Sequence, residues 1–299
     1  MGKMLKKFVA VMTMMVALGS FALTPMAAFA AEGSAEAKLK VMSFNLRYLN
    51  DHDKPPHTWD ERRSTVRQVI RMEQPDIIGT QEAVHQQVTD VAEDLPNYEW
   101  IGQGREGGNA GEFMSIYYNE NRFTPLEYDH YWLSDTPEVV GSMSWGNTIP
   151  RMVTWVKFLD ERSNQEFYFV NTHFDHQSEE ARQKSAALIS EQVKEFDPDL
   201  PVLLTGDFNA GPDSEPHNIL LEQGGFVDTF TAAETSINQE LGTFNGFDTY
   251  DGGGADNRID WILSKGNVVT ETSEIVDYQK NGQYPSDHYP VVSDVILQY

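Results

Sequence analysis

The chain has 299 residues, a formal net charge of −24 and no cysteine. This length suits one large domain or two small ones, and a hydrophobic content of 40% is sufficient for a core. The lack of cysteine excludes disulfide bonds and thiol chemistry, and the acidic balance excludes the basic surface with which proteins track nucleic acids.

The first residues have the pattern of a secretory signal peptide. Three lysines within the first seven residues precede an apolar run at 8–23, and residues 28–30 form a small-x-small cleavage site. The apolar run is short for a helix that spans a membrane. We therefore predict cleavage after Ala30 and secretion, with no membrane span in the mature protein.

Cleavage would leave 269 residues and, because it removes three lysines and no acidic residue, a net charge of −27. The small and polar residues 31–38 are predicted to form a flexible lead-in. Residues 39–299 contain no repeat, linker or low-complexity segment, which predicts a single domain. We expect the mature protein to be a monomer.

Alternating apolar residues and capping signals predict the elements of this domain. Thr58 and Glu61 have the spacing of a capping box for the first helix, and Ser178 is the predicted N-cap of the third. Helices are predicted to begin near residue 58 and to cover 84–95, 178–196 and 214–222, with polar loops at 139–149 and 229–255. Strands are predicted at 39–45, 76–80, 98–101, 113–118, 123–133, 151–159, 166–172, 201–205, 258–263 and 291–297.

Strands alternate with helices near both ends of the domain, and hairpins lie between them. This order predicts an α/β domain with mixed sheets. Residues 102–107 read Gly-x-Gly-x-x-Gly, but the dinucleotide fingerprint needs a helix to open at the glycines. Because a strand is predicted next, we interpret the segment as a flexible hairpin loop.

Six predicted strand ends have polar side chains with no evident structural task. Each alone has a structural explanation: Asn45 can close a turn, and Glu82 can cap the helix that follows. A structural role does not require a carboxylate or an amide after nearly every apolar strand, so the repetition favours a shared site. The residues are Asn45, Glu82, His173, Asp207 with Asn209, Asp260, and Asp287 with His288.

The last of these pairs, Asp287 and His288, lies between Pro285 and Pro290. Proline fixes φ, so the loop loses little further entropy when its side chains are placed. A carboxylate beside an imidazole can hold a cation with one group and move a proton with the other. Taken alone, the segment is equally well explained as a polar turn before the last strand.

In sequence order these residues resemble the motif set of the endonuclease/exonuclease/phosphatase superfamily. The resemblance extends from about Lys40 to the C-terminus, and it depends on six short motifs together. It implies a four-layer α/β/β/α sandwich, in which two mixed β-sheets face each other between helices, and metal-dependent hydrolysis of a phosphate ester. The motifs are Ser43-Phe44-Asn45, Gln81-Glu82, Asn171-Thr172-His173, Gly206-Asp207-Phe208-Asn209, Arg258-Ile259-Asp260 and Ser286-Asp287-His288.

Glu82, Asp287 and Asn45 are expected to bind the metal. Their oxygens are hard ligands, which suit Mg²⁺ or Mn²⁺ with several waters retained. The ion would polarise a phosphoryl oxygen and stabilise the charge that develops on it.

The resemblance also implies roles in the reaction. Asp260 is expected to orient His288, and we assign this pair to draw a proton from the attacking water, with Asp207 as the alternative base. Asp207 and Asn209 are expected to position the water and the phosphate. A protonated His173 is expected to bind a phosphate oxygen.

Two further residues come from the resemblance alone. Glu112 stands where relatives place a glutamate that partners the counterpart of His173. Arg151 matches an arginine that relatives use near the substrate, and the alternative for Arg151 is an ordinary surface ion pair.

A competing metal site is suggested by His173, Asp175 and His176, which are similar to the His-x-His-x-Asp-His ligands of dinuclear zinc hydrolases. The first histidine of that motif would fall at position 171, which is Asn171, and the chain has only eight histidines. We therefore prefer Mg²⁺, and we expect His176 and Asp175 to line the pocket or to cap the helix that follows Ser178.

The substrate is expected to be a phosphorylated small molecule or a single nucleic-acid end, and no stable complex with nucleic acid is expected. DNA-nicking relatives have an arginine and a tyrosine at positions that are Val84 and Ala110 here. The fold does not name the substrate, so an extracellular nuclease acting on DNA or RNA is the alternative. A non-catalytic phosphate- or sugar-binding module is the third hypothesis.

Overall fold

The structure, a computed structural model, describes residues 36–299. The predicted signal peptide and residues 31–35 lie outside this range. The first strand begins at Glu36, so residues 36–38 belong to a sheet, which corrects the predicted lead-in of 31–38. The physical reason is pairing with the last strand, which places Gln298 opposite Glu36 and buries Ala37.

Thirteen strands and five α-helices are formed within the described residues. The strands are β1 (Glu36–Asn45), β2 (Ile77–Gln81), β3 (Tyr98–Ile101), β4 (Ile116–Asn119), β5 (Phe123–Trp132), β6 (Met152–Asp160), β7 (Gln165–His173), β8 (Val202–Asp207), β9 (Val227–Asp228), β10 (Thr235–Ile237), β11 (Asp260–Lys265), β12 (Val268–Ile275) and β13 (Val291–Gln298). The helices are α1 (Trp59–Glu73), α2 (His85–Asp94), α3 (Glu179–Gln192), α4 (Glu215–Glu222) and α5 (Thr229–Ala232).

The strands form two mixed sheets. The order is β10-β12-β13-β1-β2-β4-β3 in the seven-stranded sheet and β5-β6-β7-β8-β11-β9 in the six-stranded sheet. Each sheet has a parallel pair near its centre, β1 with β2 and β7 with β8. A parallel pair needs a crossover connection, and α1 and α3 lie within these two connections.

Three apolar cores hold four layers together. Between the sheets, Val41 and Ile77 of the first sheet share a core with Phe167 and Leu203 of the second. Helices α1 and α2 pack on the outer face of the first sheet, and α3 and α4 pack on the outer face of the second. This arrangement confirms the predicted α/β/β/α sandwich.

The helices bury one face each and begin at the predicted residues. In α1, the buried Val66, Val69 and Ile70 follow helical spacing. The Thr58 hydroxyl donates to the Glu61 carboxylate at 2.8 Å and makes no bond to the backbone, so the predicted capping box is not formed. Ser178 caps α3 as predicted. Within residues 36–299, no helix has the length and apolar character needed to cross a membrane.

A buried polar cluster joins the two sheets close to their central strand ends. The Asn171 amide of β7 donates to the carbonyl of Thr80 at 2.8 Å and accepts from the Gln81 amide at 2.7 Å. The sheets approach closely here because residue 79 is glycine. A Cβ atom on Gly79 would lie 2.0 Å from the Thr205 hydroxyl oxygen.

Three elements differ from the predictions. The strand predicted at 113–118 begins at Ile116. The predicted polar loop 229–255 contains α5 and the three-residue β10. Strand β12 escaped prediction because its pairing with β13 shifts register between Thr270 and Thr272, which interrupts the alternation of apolar residues.

The glycine-rich segment connects two antiparallel strands, β3 and β4, so the prediction of a hairpin loop without a dinucleotide site is consistent with the fold. The segment is, however, closed by backbone bonds, from Gly104 to Gly108 and from Arg105 to Glu112. A Cβ atom on Gly104 would lie 2.0 Å from the carbonyl oxygen of Ala110. The glycines therefore permit a tight backbone approach, which the predicted flexible loop did not include.

Candidate active site

The strand directions bring the predicted site residues to one edge of the sandwich. The parallel strands β7 and β8 end at His173 and Asp207, and β1 ends at Asn45. Strands β11 and β13 run antiparallel to β8 and β1, so Asp260 and residues 287–288 stand at their starts. The Asn45 amide nitrogen lies 2.9 Å from Asp207 Oδ2, so the edges of both sheets meet.

A cavity of about 510 Å³ opens at this edge, and eight of the ten predicted site residues line it. The other two lie directly behind the wall. Asp260 pairs with His288, and Asn45 contacts Glu82 and Asp207. The structure therefore brings all ten predicted residues to one place.

His288 is held between two carboxylates. Its Nδ1 donates to Asp260 Oδ2 at 2.8 Å, and its Nε2 lies 3.8 Å from Asp207 Oδ2. Burial opposes protonation, but the charges of Asp260 and Asp207 prevail and raise the pKa of His288 well above its usual value. The predicted orientation of His288 by Asp260 matches this geometry. The Phe244 ring and the imidazole form a T-shaped pair, with 5.1 Å between the ring centroids.

Asp207 is 1% exposed and lies between several charges. Burial and the neighbouring charge of Asp260 raise the pKa of Asp207 to about 7. Its Oδ1 accepts the backbone N–H of Asn209 at 2.9 Å, which fixes the carboxylate on one side. Asn209 adopts a left-handed backbone with φ 49° to make this turn, a conformation that asparagine tolerates better than most residues.

Asn45 differs from its predicted role as an oxygen ligand. Its amide nitrogen donates to Glu82 Oε1 at 3.0 Å and to Asp207 Oδ2 at 2.9 Å, and its oxygen accepts the backbone N–H of Arg47. The amide nitrogen thus faces the two carboxylates, and the amide oxygen faces the backbone of Arg47. In this structure Asn45 therefore orients two carboxylates as a hydrogen-bond donor.

Glu82 and Asp287 supply carboxylate oxygens to the cavity. Glu82 has a left-handed backbone, φ 66°, at the end of β2, and it accepts the backbone N–H of Tyr48 at 3.1 Å. For a glutamate this backbone conformation is uncommon and is typical of functional sites. Burial, and then the charge of Glu82, raise the pKa of Asp287 against the opposing effect of His288. Arg47 Nη1 lies 3.5 Å from Asp287 Oδ2.

The described part of the chain contains two groups of potential metal-ligand residues. Within each group, the ligand atoms all lie within 4.8 Å of one another. One is Glu82, His173 and Asp207, and the other is Asp207, Asp260 and His288. Asp207 belongs to both groups, and Asp287 to neither. The donor set consists mainly of carboxylates, which fits a hard divalent cation.

The structure contradicts the predicted protonation of His173. The Asn209 amide donates to His173 Nε2 at 3.0 Å and also to the carbonyl of Phe174, so Nε2 is an acceptor and has no proton. Burial, and then the charges of Arg151 and Arg105, lower the pKa of His173 well below its usual value. The imidazole that was predicted to be protonated is therefore neutral, because it is buried and two guanidinium groups lie near it.

Glu112 links His173 to an arginine that the sequence analysis did not identify. Glu112 Oε2 accepts from Arg105 Nη1 at 2.6 Å and lies 3.9 Å from His173 Nδ1. The predicted pairing of Glu112 with His173 is thus present as a longer contact. Burial and the charge of Glu82 raise the pKa of Glu112 to about 7, and Arg105 and Arg151 oppose this rise.

Arg151 lines the cavity and is only 4% exposed, so it is not the surface ion pair that was the alternative. Its Nη2 donates to His176 Nδ1 at 3.0 Å, and its Nε lies 3.7 Å from Asp175 Oδ2. His176 lines the cavity, and Asp175 accepts the backbone N–H groups of Gln177 and Ser178 before α3. Both placements agree with the expectation for these two residues.

The zinc alternative has no support from Asn171. The Asn171 side chain is fully buried between the sheets, where it bonds to Thr80 and Gln81. His176 and Asp175 belong to neither of the two groups of potential ligand atoms found in residues 36–299. Position 171 therefore joins the sheets and does not face the cavity.

A buried arginine on α1 fixes two loops of the site. Arg62 is fully buried and donates to the carbonyls of Leu46 at 2.6 Å, Arg47 at 2.6 Å and Pro285 at 3.0 Å. These carbonyls belong to the loop after Asn45 and to the loop before Asp287. Arg62 therefore holds together chain segments that are more than 200 residues apart.

Sequence analysis missed four residues that shape the site: Arg47, Arg62, Arg105 and Phe244. Arg47 follows the Asn45 motif by two positions, and Arg105 lies within the glycine-rich segment. The first segment was noted for Asn45 and the second for its glycines, and neither arginine was given a role. Arg62 sits in an otherwise ordinary helix pattern, and Phe244 in a loop, so neither position has a local signal.

Comparison with known proteins gives a consistent result. The model of a family described as "Endonuclease/Exonuclease/phosphatase family" matches residues 42–288. An uncharacterised mimivirus protein is 34% identical over 181 residues, which cover 57% of this chain and 67% of that protein.

Two solved bacterial structures are similar over almost their whole length. An endonuclease/exonuclease/phosphatase from Bacteroides vulgatus is 33% identical with a TM-score of 0.82, and 87% of this chain aligns with 98% of that one. A mannosyl-6-phosphatase from Bacteroides thetaiotaomicron is 32% identical with a TM-score of 0.81, and 87% of this chain aligns with all of that one.

Proposed function

This chain belongs to the endonuclease/exonuclease/phosphatase family, and we propose on that basis that it is a secreted, divalent-metal-dependent phosphoesterase that acts on a small phosphate ester. One observation supports this most directly. His288, which is held by Asp260 at 2.8 Å, lines the same cavity as the carboxylates of Glu82, Asp207 and Asp287. A proton acceptor and a set of hard oxygen ligands thus share one site.

Glu82 and Asp287 are the residues that we assign to hold the metal, Mg²⁺ or Mn²⁺. When bound, the ion would polarise a phosphoryl oxygen and stabilise the charge that develops on it. Asn45 orients Glu82 for this task through the hydrogen bond at 3.0 Å. Arg47, which lies 3.5 Å from Asp287, keeps that carboxylate paired until a cation replaces it.

We assign His288 to accept the proton of the attacking water, and a cation bound by the neighbouring carboxylates would lower the pKa of His288 towards the range that a base needs. Asp260 fixes the imidazole through Nδ1, so Nε2 faces Asp207 and the cavity. Asp207 is the alternative base, because its raised pKa suits it to accept a proton near neutral pH. Asn209 and the neutral His173 line the cavity beside Asp207 and are assigned to position the phosphate.

A phosphorylated sugar is the first substrate to test. A relative that is 32% identical is described as a mannosyl-6-phosphatase, and a cavity of about 510 Å³ is large enough for a hexose phosphate. A net charge of −24 disfavours long polyanions. We therefore place a sugar phosphate before a nucleic-acid end.

A substrate panel with Mg²⁺ and with Mn²⁺ tests the proposal. The panel contains sugar phosphates, inositol phosphates, sphingomyelin, short RNA and plasmid DNA, each also assayed with a chelator. We expect hydrolysis of a small phosphate ester that stops when the metal is removed. Cleavage of RNA or DNA alone would establish the nuclease alternative, and binding without turnover would establish a non-catalytic module.

Secretion has a separate test. The proposed signal peptide predicts that the exported protein begins at Ala31, which N-terminal sequencing can show. Retention of residues 1–30 in the exported protein, or failure of a fused reporter to be exported, would contradict it.

A further inference from the structure

We propose that Arg151, His176 and Arg105 form a subsite for the hydroxyl groups of a sugar that is attached to the reactive phosphate. This inference rests on the proposed phosphoesterase function and specifies which part of the cavity selects the leaving group. All three residues line the cavity. Neither Arg105 nor His176 belongs to the strand-end motifs.

The charges of this subsite are already balanced within the protein. Arg105 forms an ion pair with Glu112 at 2.6 Å, and Arg151 lies 3.7 Å from a carboxylate oxygen of Asp175. Each guanidinium thus has one carboxylate nearby. A second phosphate on the substrate would add an uncompensated negative charge, whereas a neutral group would not.

The same residues have hydrogen-bond donors without acceptors. Among the described residues, no partner exists for the buried Arg151 Nε, Arg151 Nη1 and Arg105 Nε. A buried donor without a partner is costly, and native structures contain few of them. Arg151 is 4% exposed, and its side chain lines the cavity. A ligand with acceptor oxygens would satisfy these donors.

His176 adds a donor at the edge of the subsite. Arg151 Nη2 can only donate, so His176 Nδ1 accepts at 3.0 Å and the imidazole proton is on Nε2. Unlike Arg151, His176 is exposed at the cavity wall. Its position is fixed by Asp175, which accepts the N–H groups of Gln177 and Ser178 at 2.9 and 2.7 Å. His176 and Asp175, which belong to the zinc-like motif, thus contribute to the shape of the cavity.

Uncharged oxygens match this set of donors better than other groups do. A sugar presents several hydroxyl oxygens at fixed angles, and each can accept from a guanidinium or an imidazole. The subsite is therefore assigned to a hexose or a similar polyol.

The test compares two esters in His176 variants. The kcat/KM for mannose 6-phosphate is divided by the kcat/KM for phenyl phosphate, which has no hydroxyl groups. We expect this ratio to fall about threefold to tenfold in His176→Phe, the loss expected for one hydrogen bond. His176→Gln keeps an N–H donor and is expected to restore part of the ratio. Gln177→Ala, at the exposed neighbouring position, is the matched control.

An unchanged ratio in His176→Phe would overturn the inference. The inference would also be overturned if the kcat/KM of the wild type were more than tenfold higher for mannose 1,6-bisphosphate than for mannose 6-phosphate. Such a preference would indicate a second anion site. Arg151→Lys, which keeps the charge but loses the planar fork, is expected to lower the ratio as well.

The inference can fail separately from the proposed function. If the wild type hydrolyses no ester with any divalent cation, the proposed function fails. The subsite can then be tested by measuring the binding of mannose 6-phosphate to the wild type and to His176→Phe by calorimetry. Binding that weakens at least threefold in His176→Phe would support it. Equal binding by both proteins, or no binding by the wild type, would overturn it.

Discussion

Single residues in this site have proton affinities that differ from those in water, and the causes are burial and nearby charge. His288 and His173 are both buried histidines, yet their pKa values shift in opposite directions. His288 faces the carboxylates of Asp260 and Asp207, whereas His173 lies near the guanidinium groups of Arg151 and Arg105. The same residue type thus has a raised proton affinity at one position of the cavity and a lowered one at another.

Replacing His288 tests the assignment of the base. His288→Ala should lower kcat by about 10²- to 10⁴-fold, the usual range for the loss of a general base. Steady-state kinetics with saturating Mg²⁺ measure the effect, and circular dichroism verifies the fold. Asp260→Asn should also lower kcat, because it removes the acceptor that orients the ring. Full activity in His288→Ala would show that Asp207 or another group accepts the proton.

At the scale of elements, the two central parallel pairs explain why distant residues meet. Strand pairs β1–β2 and β7–β8 end at the same edge, and the sheets are in contact there through Asn171. This contact depends on Gly79, which has no side chain to separate β2 from Thr205. The position of the residues that line the cavity therefore depends on inter-sheet packing behind them.

Gly79→Ala should destabilise the fold. The added Cβ would lie 2.0 Å from Thr205 Oγ1 and 2.7 Å from Asn171 Oδ1, so the sheets must separate locally. We expect the free energy of unfolding to fall by about 1–3 kcal/mol, measured by urea denaturation. Thr205→Ala in the same chain should relieve part of the loss. If Gly79→Ala lowers the free energy of unfolding by the same amount in the wild type and in Thr205→Ala, the two side chains do not interact.

A second inter-sheet contact predicts how stability depends on pH. Arg122 donates to both carboxylate oxygens of Asp160, at 3.0 and 2.9 Å, and to the carbonyl of Lys38 in the other sheet. Burial would raise the pKa of Asp160, but the bonds from Arg122 prevail and lower it. The ionised form therefore stabilises the fold above the pKa of the unfolded chain, and that stability is lost as pH falls through the lower folded pKa.

Asp160→Asn should lower the free energy of unfolding by about 1.5–3 kcal/mol at pH 7, because Arg122 loses one of its two carboxylate partners and keeps Asp76 at 2.9 Å. The difference between wild type and variant should shrink as pH falls below about 4, where Asp160 becomes protonated in the unfolded chain. Urea titrations at several pH values measure it. A difference that stays constant from neutral to acid pH would contradict the account.

For the whole molecule, the sequence was sufficient to place the site and insufficient to describe its hydrogen bonds. Strand-end residues such as His173, Asp207 and Asp260 were predictable because strand direction alone brings them to one edge. The role of Asn45 as a hydrogen-bond donor could not be predicted, because it depends on Glu82 and Asp207, which lie 37 and 162 positions away in the sequence.

The lowered pKa of His173 and the contacts of Arg151 with its neighbours had no local signal either. The pKa of His173 depends partly on Arg105, which lines the cavity from the glycine-rich segment. Residue types and strand order thus determine where a site forms. Side-chain orientation and proton position follow from contacts across the whole fold.

The central claim is that Glu82 and Asp287 share one cation in a strongly acidic protein, and titration with Mn²⁺ by isothermal calorimetry tests it most directly. An acidic surface binds cations weakly everywhere, so Glu180→Gln, at an exposed position, is the control. The account predicts one saturable Mn²⁺ site in the wild type and in the control, and at least tenfold weaker binding in both Glu82→Gln and Asp287→Asn. Binding by those two variants that equals the wild type would contradict it.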